Sequence, residues 1–313
     1  MNGDTSTKSI LSELAYFDIF EHPLTAMEIW RYSNQADLTL ADVLEALETD
    51  PTLREIISQR WGFYFLKGRE HTVELRLKRY REAEAKYQKA LKFARRLSAF
   101  PFIRMIGVCN SLAYSNSRLA GDIDFLIVAE PKRIWTARFY AASYLKLLGE
   151  RPSGQETRDK ICLTFFISPE GFDLRPIKIS SPDIYLAHWV KQIVPIYDPR
   201  RLYPEFLTAN SWVDELFPNG YPVIVPPTRK INQSIFNRFR QKVFETIHSS
   251  WLGDWLERYF EKVQRHRLPD QLQRLVNRDS RVILSKQMLK FHDNDRREKY
   301  QQAWLEKKNL LFS

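Results

Sequence analysis

Between residues 102 and 168 the chain alternates short, almost wholly apolar runs with one longer amphipathic stretch. The runs are "FIRMIGVCNSL" (102–112), "DIDFLIVAE" (122–130) and "KICLTFFIS" (160–168). Each has strand length, ends in polar or turn residues, and reads as a buried strand. "KRIWTARFYAASYLKLLGE" (132–150) carries apolar residues at helical spacing, with Gly149 near its end, and predicts a helix. Strand, strand, helix, strand makes a small mixed sheet. "PEGFDLRPIKI" (169–179) is expected to turn and add a short edge strand.

Upstream, the first part of "KSILSELAYFDIFEHPLTAMEIWR" (8–31) has helical spacing until "HPLT" breaks it. Thr25 caps a second helix, "AMEIWRYS", and a third, "LADVLEALETD", follows Thr39. "LREIISQR" and "GFYFLKG", joined by Trp61–Gly62, read as a strand pair. Three short helices and a hairpin make the winged-helix plan, whose third helix often meets DNA. Here that helix carries Asp42, Glu45, Glu48 and Asp50 and no basic residue, so a protein-contact or structural module is favoured. One long charged helix over 70–98 connects this unit to the strands. Pro-rich "FPNGYPVIVPP" (217–227) reads as a linker, and the remainder as helical, including 236–267. The expected fold is α+β. It has a winged-helix-like domain (1–70), a basic connector helix (71–98), a mixed-sheet core (99–215) and a helical C-terminal region (228–313).

With 44% hydrophobic and 13% aromatic residues, the 313-residue chain is a folded globular protein. Its net charge of +10 is uneven. Residues 1–75 carry 6 basic and 13 acidic side chains, residues 76–98 carry 9 and 2, and residues 229–313 carry 19 and 10. Such basic surfaces attract polyanions: nucleic acid, nucleotides or anionic lipid. Cys109 and Cys162 sit in apolar runs and read as core thiols of a reducing compartment, with no disulfide framework and no zinc site. No leader is apparent and no apolar run approaches ~18 residues. A cytoplasmic location without a membrane partner is expected. No phosphate-binding Gly-Lys-Ser/Thr loop and no Gly-x-Gly-x-x-Gly run occurs, and ten glycines argue against Rossmann or P-loop chemistry.

The chemistry lies in "CNSLAYSNSRLAGDIDFLIV" (109–128). Residues two apart in a strand share a side, so Asp122 and Asp124 project together with Ile123 behind them. Adjacent carboxylates repel unless a cation sits between them. Mg²⁺ (or Mn²⁺) suits such a pair and leaves room for substrate phosphates. The turn at Asn110–Ser111 offers backbone N–H groups and the Ser111 hydroxyl to those phosphates. Asparagine is the residue after glycine best suited to the positive φ of such a turn.

This arrangement resembles the nucleotidyltransferase superfamily, the polymerase-β-like fold. That family's pattern is a strand ending in Gly-Gly or Gly-Ser, then a loop, then acid–apolar–acid opening the next strand. Here the elements are Asn110–Ser111 and Asp122–Ile123–Asp124, with Asp122 eleven positions after Ser111. The resemblance covers about residues 100–180. The whole layout is similar to uncharacterised bacterial proteins that join a winged-helix-like N-terminus to such a domain. It implies transfer of a nucleoside monophosphate from an NTP to an acceptor hydroxyl with release of pyrophosphate, and Asp122 and Asp124 as metal ligands. Two departures stand out: Asn110 replaces the first glycine, and "ICLTFFI" lacks the family's third carboxylate. Thr164 or Asp173 is the candidate for that third position. The alternative is a catalytically degenerate protein of the same fold that binds nucleotide or nucleic acid as a regulator.

Other candidates lie outside the pair. Arg118, in the loop before the acids, suits a triphosphate, because arginine pairs with phosphate in a bidentate way. Arg138 suits nucleotide binding too, while Trp135 is expected to pack its helix on the sheet. "KFHDNDRR" (290–297) is a candidate second functional patch, suited to clamp an acceptor, with His292 expected at a helix end. Beyond the NTP, the partners in view are a polyanionic acceptor such as RNA and a protein docked on the acidic N-terminal domain.

Overall fold

Thr25 and Thr39 start the second and third helices. Each hydroxyl accepts the backbone N–H three residues on, and the acid there, Glu28 or Asp42, accepts the threonine N–H in return. These reciprocal caps satisfy donors that a first turn leaves open. The computed structural model describes residues 2–154, 156–248 and 251–312. It opens with α1 (Asn2–Asp18), α2 (Ala26–Tyr32), α3 (Leu40–Thr49) and α4 (Pro51–Ile56). β1 (Ile57–Arg60) and β2 (Phe63–Leu66) then pair antiparallel. The strand expected over "LREIISQR" begins only at Ile57. Asp50 caps, and Pro51 seats, a short helix in its first half.

α5 (His71–Leu97) is more than a connector. It buries Ala83, Tyr87, Ala90, Phe93, Ala94 and Leu97 among the residues packed on the sheet. The strands β3 (Ile103–Val108), β4 (Ile123–Ala129), β5 (Ile161–Ile167), β6 (Val194–Tyr197), β7 (Val282–Leu284) and β8 (Met288–Phe291) form one sheet, ordered β6-β3-β4-β5-β8-β7. β4 and β5 run parallel, and the other neighbouring strands run antiparallel. A single turn, α6 (Asn110–Ala113), follows β3, and α7 (Ile134–Leu147) joins β4 to β5. Then come α8 (Ile184–Gln192), α9 (Leu202–Ala209), α10 (Ile235–Ile247), α11 (Trp251–His266), α12 (Asp270–Gln273) and α13 (Arg297–Phe312).

Two expectations need correction. Residues 169–179 form two 3₁₀ turns, Pro169–Gly171 and Arg175–Ile177, and no edge strand. Pro169 and Pro176 lack the N–H a ladder needs and each seats a turn. The C-terminal region is not wholly helical either. Its β7–β8 hairpin pairs with β5, so the sheet takes strands from both sides of the Pro-rich segment. α13 then returns to α1, where the Trp304 indole donates to the Ser12 carbonyl (3.2 Å) and Lys307 pairs with Asp18 (2.6 Å). Among the described residues no helix is long and apolar enough to cross a membrane.

Candidate functional site

Side chains alternate along β4. Ile123 and Phe125 enter the core on the side of α5 and α7, while Asp124, Leu126 and Val128 face the side of α1 and α8. The parallel register sets Asp124 opposite Cys162 on β5. The ligand atoms of Asp122, Asp124 and Cys162 all lie within 4.8 Å of one another. Burial, and then the Asp122 charge, push the Asp124 carboxyl up to about 7. Burial also raises Asp122, partly offset by the Cys162 thiol and the nearby Lys86 ammonium. The Cys162 thiol is itself raised by burial and by both acids. Three groups that would share negative charge therefore converge on one spot with too little positive charge beside them.

The backbone opposite has the conformation the sequence implied. Asn110 sits at φ +56°, in the left-handed region, as β3 turns into α6. Its side-chain oxygen accepts from the Trp189 indole at 3.0 Å, and its side chain also hydrogen-bonds Asp124. The Ser111 carbonyl accepts the Asn116 N–H at 2.8 Å, closing the turn. Lys86, buried on α5, anchors the loop that leads to the acids. Its ammonium donates to the Leu119 carbonyl (3.3 Å), to the Gly121 carbonyl and to Asp159 (2.6 Å).

A cleft of about 280 Å³ opens beside the turn, with Asn110, Ser111, Arg118, Gly121, Trp189 and Arg296 in its wall. A smaller hollow of about 150 Å³ adjoins it and holds Thr164, Lys290 and His292. Asn110, Tyr185, Trp189, Arg296 and Tyr300 line both. The "KFHDNDRR" patch thus walls the adjoining hollow and reaches the cleft through Arg296. Arg296 is exposed, lines both spaces and pairs with no carboxylate among the described residues. Arg118 is 73% exposed at the lip, with Glu21 at 4.0 Å. His292 follows β8 and caps no helix; burial holds its ring at about 4.

Two candidates fall elsewhere. Arg138 leaves α7 toward α11 and β8, on the other side of the sheet. It donates to Gln264 (2.6 Å), lies over the Phe291 ring (4.1 Å), and is lowered to about 9 by burial and by Arg151. Its helix partners, including the buried Trp135, place it in the core packing of α7 and not at the cleft. Asp173 is gripped by Arg175 through both carboxylate oxygens and lines neither space. The two proline turns keep "FDLRP" from doubling back onto the strands. Thr164 does share the Cys162 side of β5, and its hydroxyl accepts from the Cys162 thiol at 3.7 Å. Cys162 itself was missed as a site residue. The available signal was its parity with Thr164, the polar positions of "ICLTFFI", which puts both on one face of β5.

No family model, no curated protein and no solved structure matches this chain.

Proposed function

We propose that the chain is a metal-dependent nucleotidyltransferase that moves a nucleoside monophosphate from an NTP to an acceptor hydroxyl and releases pyrophosphate. The observation that carries this reading is the convergence of Asp122 and Asp124 at a strand mouth, where the side chain of left-handed Asn110 hydrogen-bonds Asp124 and the Asn110–Ser111 turn walls the neighbouring cleft. A core with two carboxyls pressed together and pushed toward neutrality has no structural use for them, whereas a divalent ion does. Two oxygen donors suit Mg²⁺ or Mn²⁺, and the one thiol leans the set toward Mn²⁺. Asp122 and Asp124 would hold the ion, which would supply positive charge for the α-phosphate and the departing pyrophosphate.

The chain's own groups account for binding. The Ser111 hydroxyl and the N–H groups of its turn donate to phosphate oxygens. Arg118 and Arg296, exposed on the rim, pair with the outer phosphates. Trp189, fixed by its bond to Asn110, edges both the cleft and the hollow beside the turn, where a base would sit. The acceptor oxygen bonds to the α-phosphorus as the bond to the pyrophosphate oxygen breaks, and the acceptor proton leaves to solvent. No carboxylate stands where the family's third acid would, because Cys162 and Thr164 occupy that side of β5. That absence favours the second reading, a degenerate relative that binds nucleotide or nucleic acid without turning it over. A winged-helix-like N-terminal unit and a reducing, cytoplasmic setting, in which both cysteines stay free, complete the proposal.

The test uses each α-labelled NTP with the purified chain, Mg²⁺ or Mn²⁺, and a pool of RNA and small-molecule acceptors. Asp122→Asn and Asp124→Asn should each cut transfer by about a thousandfold or more while the fold persists by circular dichroism. Wild-type levels of transfer in either variant would refute the metal site. Stabilisation by NTP and metal without any label transfer would select the second reading.

A further inference from the structure

α10 is built inside out. The side it turns to the body is polar. Gln241 is buried, donates to the Phe100 carbonyl (3.0 Å) and accepts from Gln233 (3.0 Å). Glu245 accepts from the Phe102 N–H (2.7 Å) and pairs with Arg104 (2.6 Å). Just past the helix end, the His248 ring meets the Tyr140 hydroxyl at 2.9 Å. The opposite side carries Ile235, Phe236, Phe239, Val243 and Ile247, which share one face at helical spacing. They are 85%, 66%, 66%, 42% and 54% exposed. A globular helix normally buries that stripe. α11 repeats the pattern: Trp251, Trp255 and Tyr259, one turn apart, all face solvent.

Charge says what covers this face. Arg238 and Lys242 flank the α10 stripe on one side and Arg240 on the other, all exposed. Beside the helix lies a groove of about 550 Å³ that contains Arg95, Arg96 and Arg240 among Phe100, Tyr144 and Phe244. No acidic side chain lines it, and none of these three arginines pairs with a carboxylate among the described residues.

We propose that this face docks on an anionic phospholipid bilayer, with the α10 stripe in the interface and the arginine groove against headgroup phosphates. An apolar, aromatic stripe edged by arginine and lysine is the composition of a helix that lies in the membrane plane. Each flanking cation gains from the negative surface. Single-stranded nucleic acid would use rings and cations but has no use for Ile235, Val243 and Ile247, since bases stack on aromatic faces. A second copy placed on the same face would bring Arg238, Arg240 and Lys242 against themselves, because a two-fold contact joins identical patches. The sequence led to no expected membrane partner because no segment spans; a helix lying in the interface needs no span. The face is separate from the acidic cleft and stands whether or not that cleft turns over nucleotide.

The test is vesicle flotation of the full chain at moderate salt. One vesicle set is pure phosphatidylcholine, the other contains roughly one third phosphatidylglycerol, enough to set up an anionic surface. The chain should float with the anionic vesicles and not with the neutral ones, and added salt should weaken the binding. Phe236→Ser/Phe239→Ser should reduce anionic binding by about tenfold or more, since both rings leave the interface. Arg95→Glu/Arg96→Glu should reduce it without the first pair of changes. The replaced side chains are exposed or line the open groove, so thermal melts should stay unchanged and certify the fold. Equal binding to both vesicles, binding to neither, or full binding by the Phe236→Ser/Phe239→Ser variant would overturn the proposal. So would a single-stranded oligonucleotide that displaces the chain from vesicles and binds more tightly, or a stable dimer that the same substitutions dissolve.

Discussion

On one face of the sheet β4 contributes Ile123, Phe125, Ile127 and Ala129, and α5 and α7 cover them with Tyr87, Leu97, Ile134, Ala137 and Ala141. On the other face the same strand contributes Asp124, Leu126 and Val128, met by α8 and the N-terminal helices. Every second residue belongs to the other world, because the side-chain period of a strand is two. The first face is dry along the whole of β4. The second is dry only from Leu126 onward. At the start of the strand its cover stops: Trp189 leans on Asn110, and the cleft begins. The carboxyls sit where the cover ends, mostly but not fully buried, and the raised Asp124 reports what that position costs without a counter-charge. The dry face thus carries stability and the open end of the other holds the proposed metal site, and substitutions should separate the two.

Phe125→Ala gives the largest effect on the fold. Its ring is fully buried beside Asp124 yet points away from the cleft. Truncation should lower unfolding free energy by ~3–5 kcal/mol, from lost transfer and the cavity left behind. Urea melts measure that loss, and metal titration of the folded fraction should show unchanged affinity. A large change in metal affinity would mean that the two faces are not separable. A smaller effect is expected at Cys162. Cys162→Ser removes sulfur and keeps a hydroxyl. Mn²⁺ affinity should fall about tenfold by calorimetry while Mg²⁺ affinity moves little, since a thiolate favours the softer ion. An equal loss for both ions would remove sulfur from the donor set.

The same contrast explains what the sequence made legible. Local signals gave the strand–strand–helix–strand order, the caps at Thr25 and Thr39, and the shared side of Asp122 and Asp124. Each depends on residues a few positions apart. Asn110 was readable because positive φ is a single-residue property, and it stands at +56°. What escaped was set by distant pairing. β6, β7 and β8 are short pieces, "VPIY", "VIL" and "MLKF", and they become strands only by pairing, β6 with β3, β8 with β5 and β7 with β8. Cys162 faces Asp124 only because β4 and β5 run parallel in that register. Asp173 was drawn toward the site by sequence proximity, but Arg175, two residues on, captures it first. α10 was legible as a helix, but not which side it buries, because its polar side finds Gln233, Arg104 and the 100–103 backbone.

The subtlest test asks what the acid pair costs when no cation is present. Asp124 holds its proton up to about pH 7 in the folded chain, whereas an ordinary unfolded aspartate loses it near 4. Between those values the folded chain binds more protons than the unfolded one, so stability falls as pH rises through the window. Asparagine at 124 keeps the shape and cannot ionise. In the presence of a chelator, wild type and Asp124→Asn should melt alike near pH 4. Above about pH 7 the variant should be more stable by ~1–2 kcal/mol, less than the full shift because the side chain is not fully buried. Adding Mn²⁺ should close the gap by stabilising wild type alone, as any ligand that binds only the folded state does. Parallel melting curves from about pH 4 to 8 would mean that the carboxyls feel neither burial nor each other, and the case for a cation at the mouth of β4 would lose its physical basis.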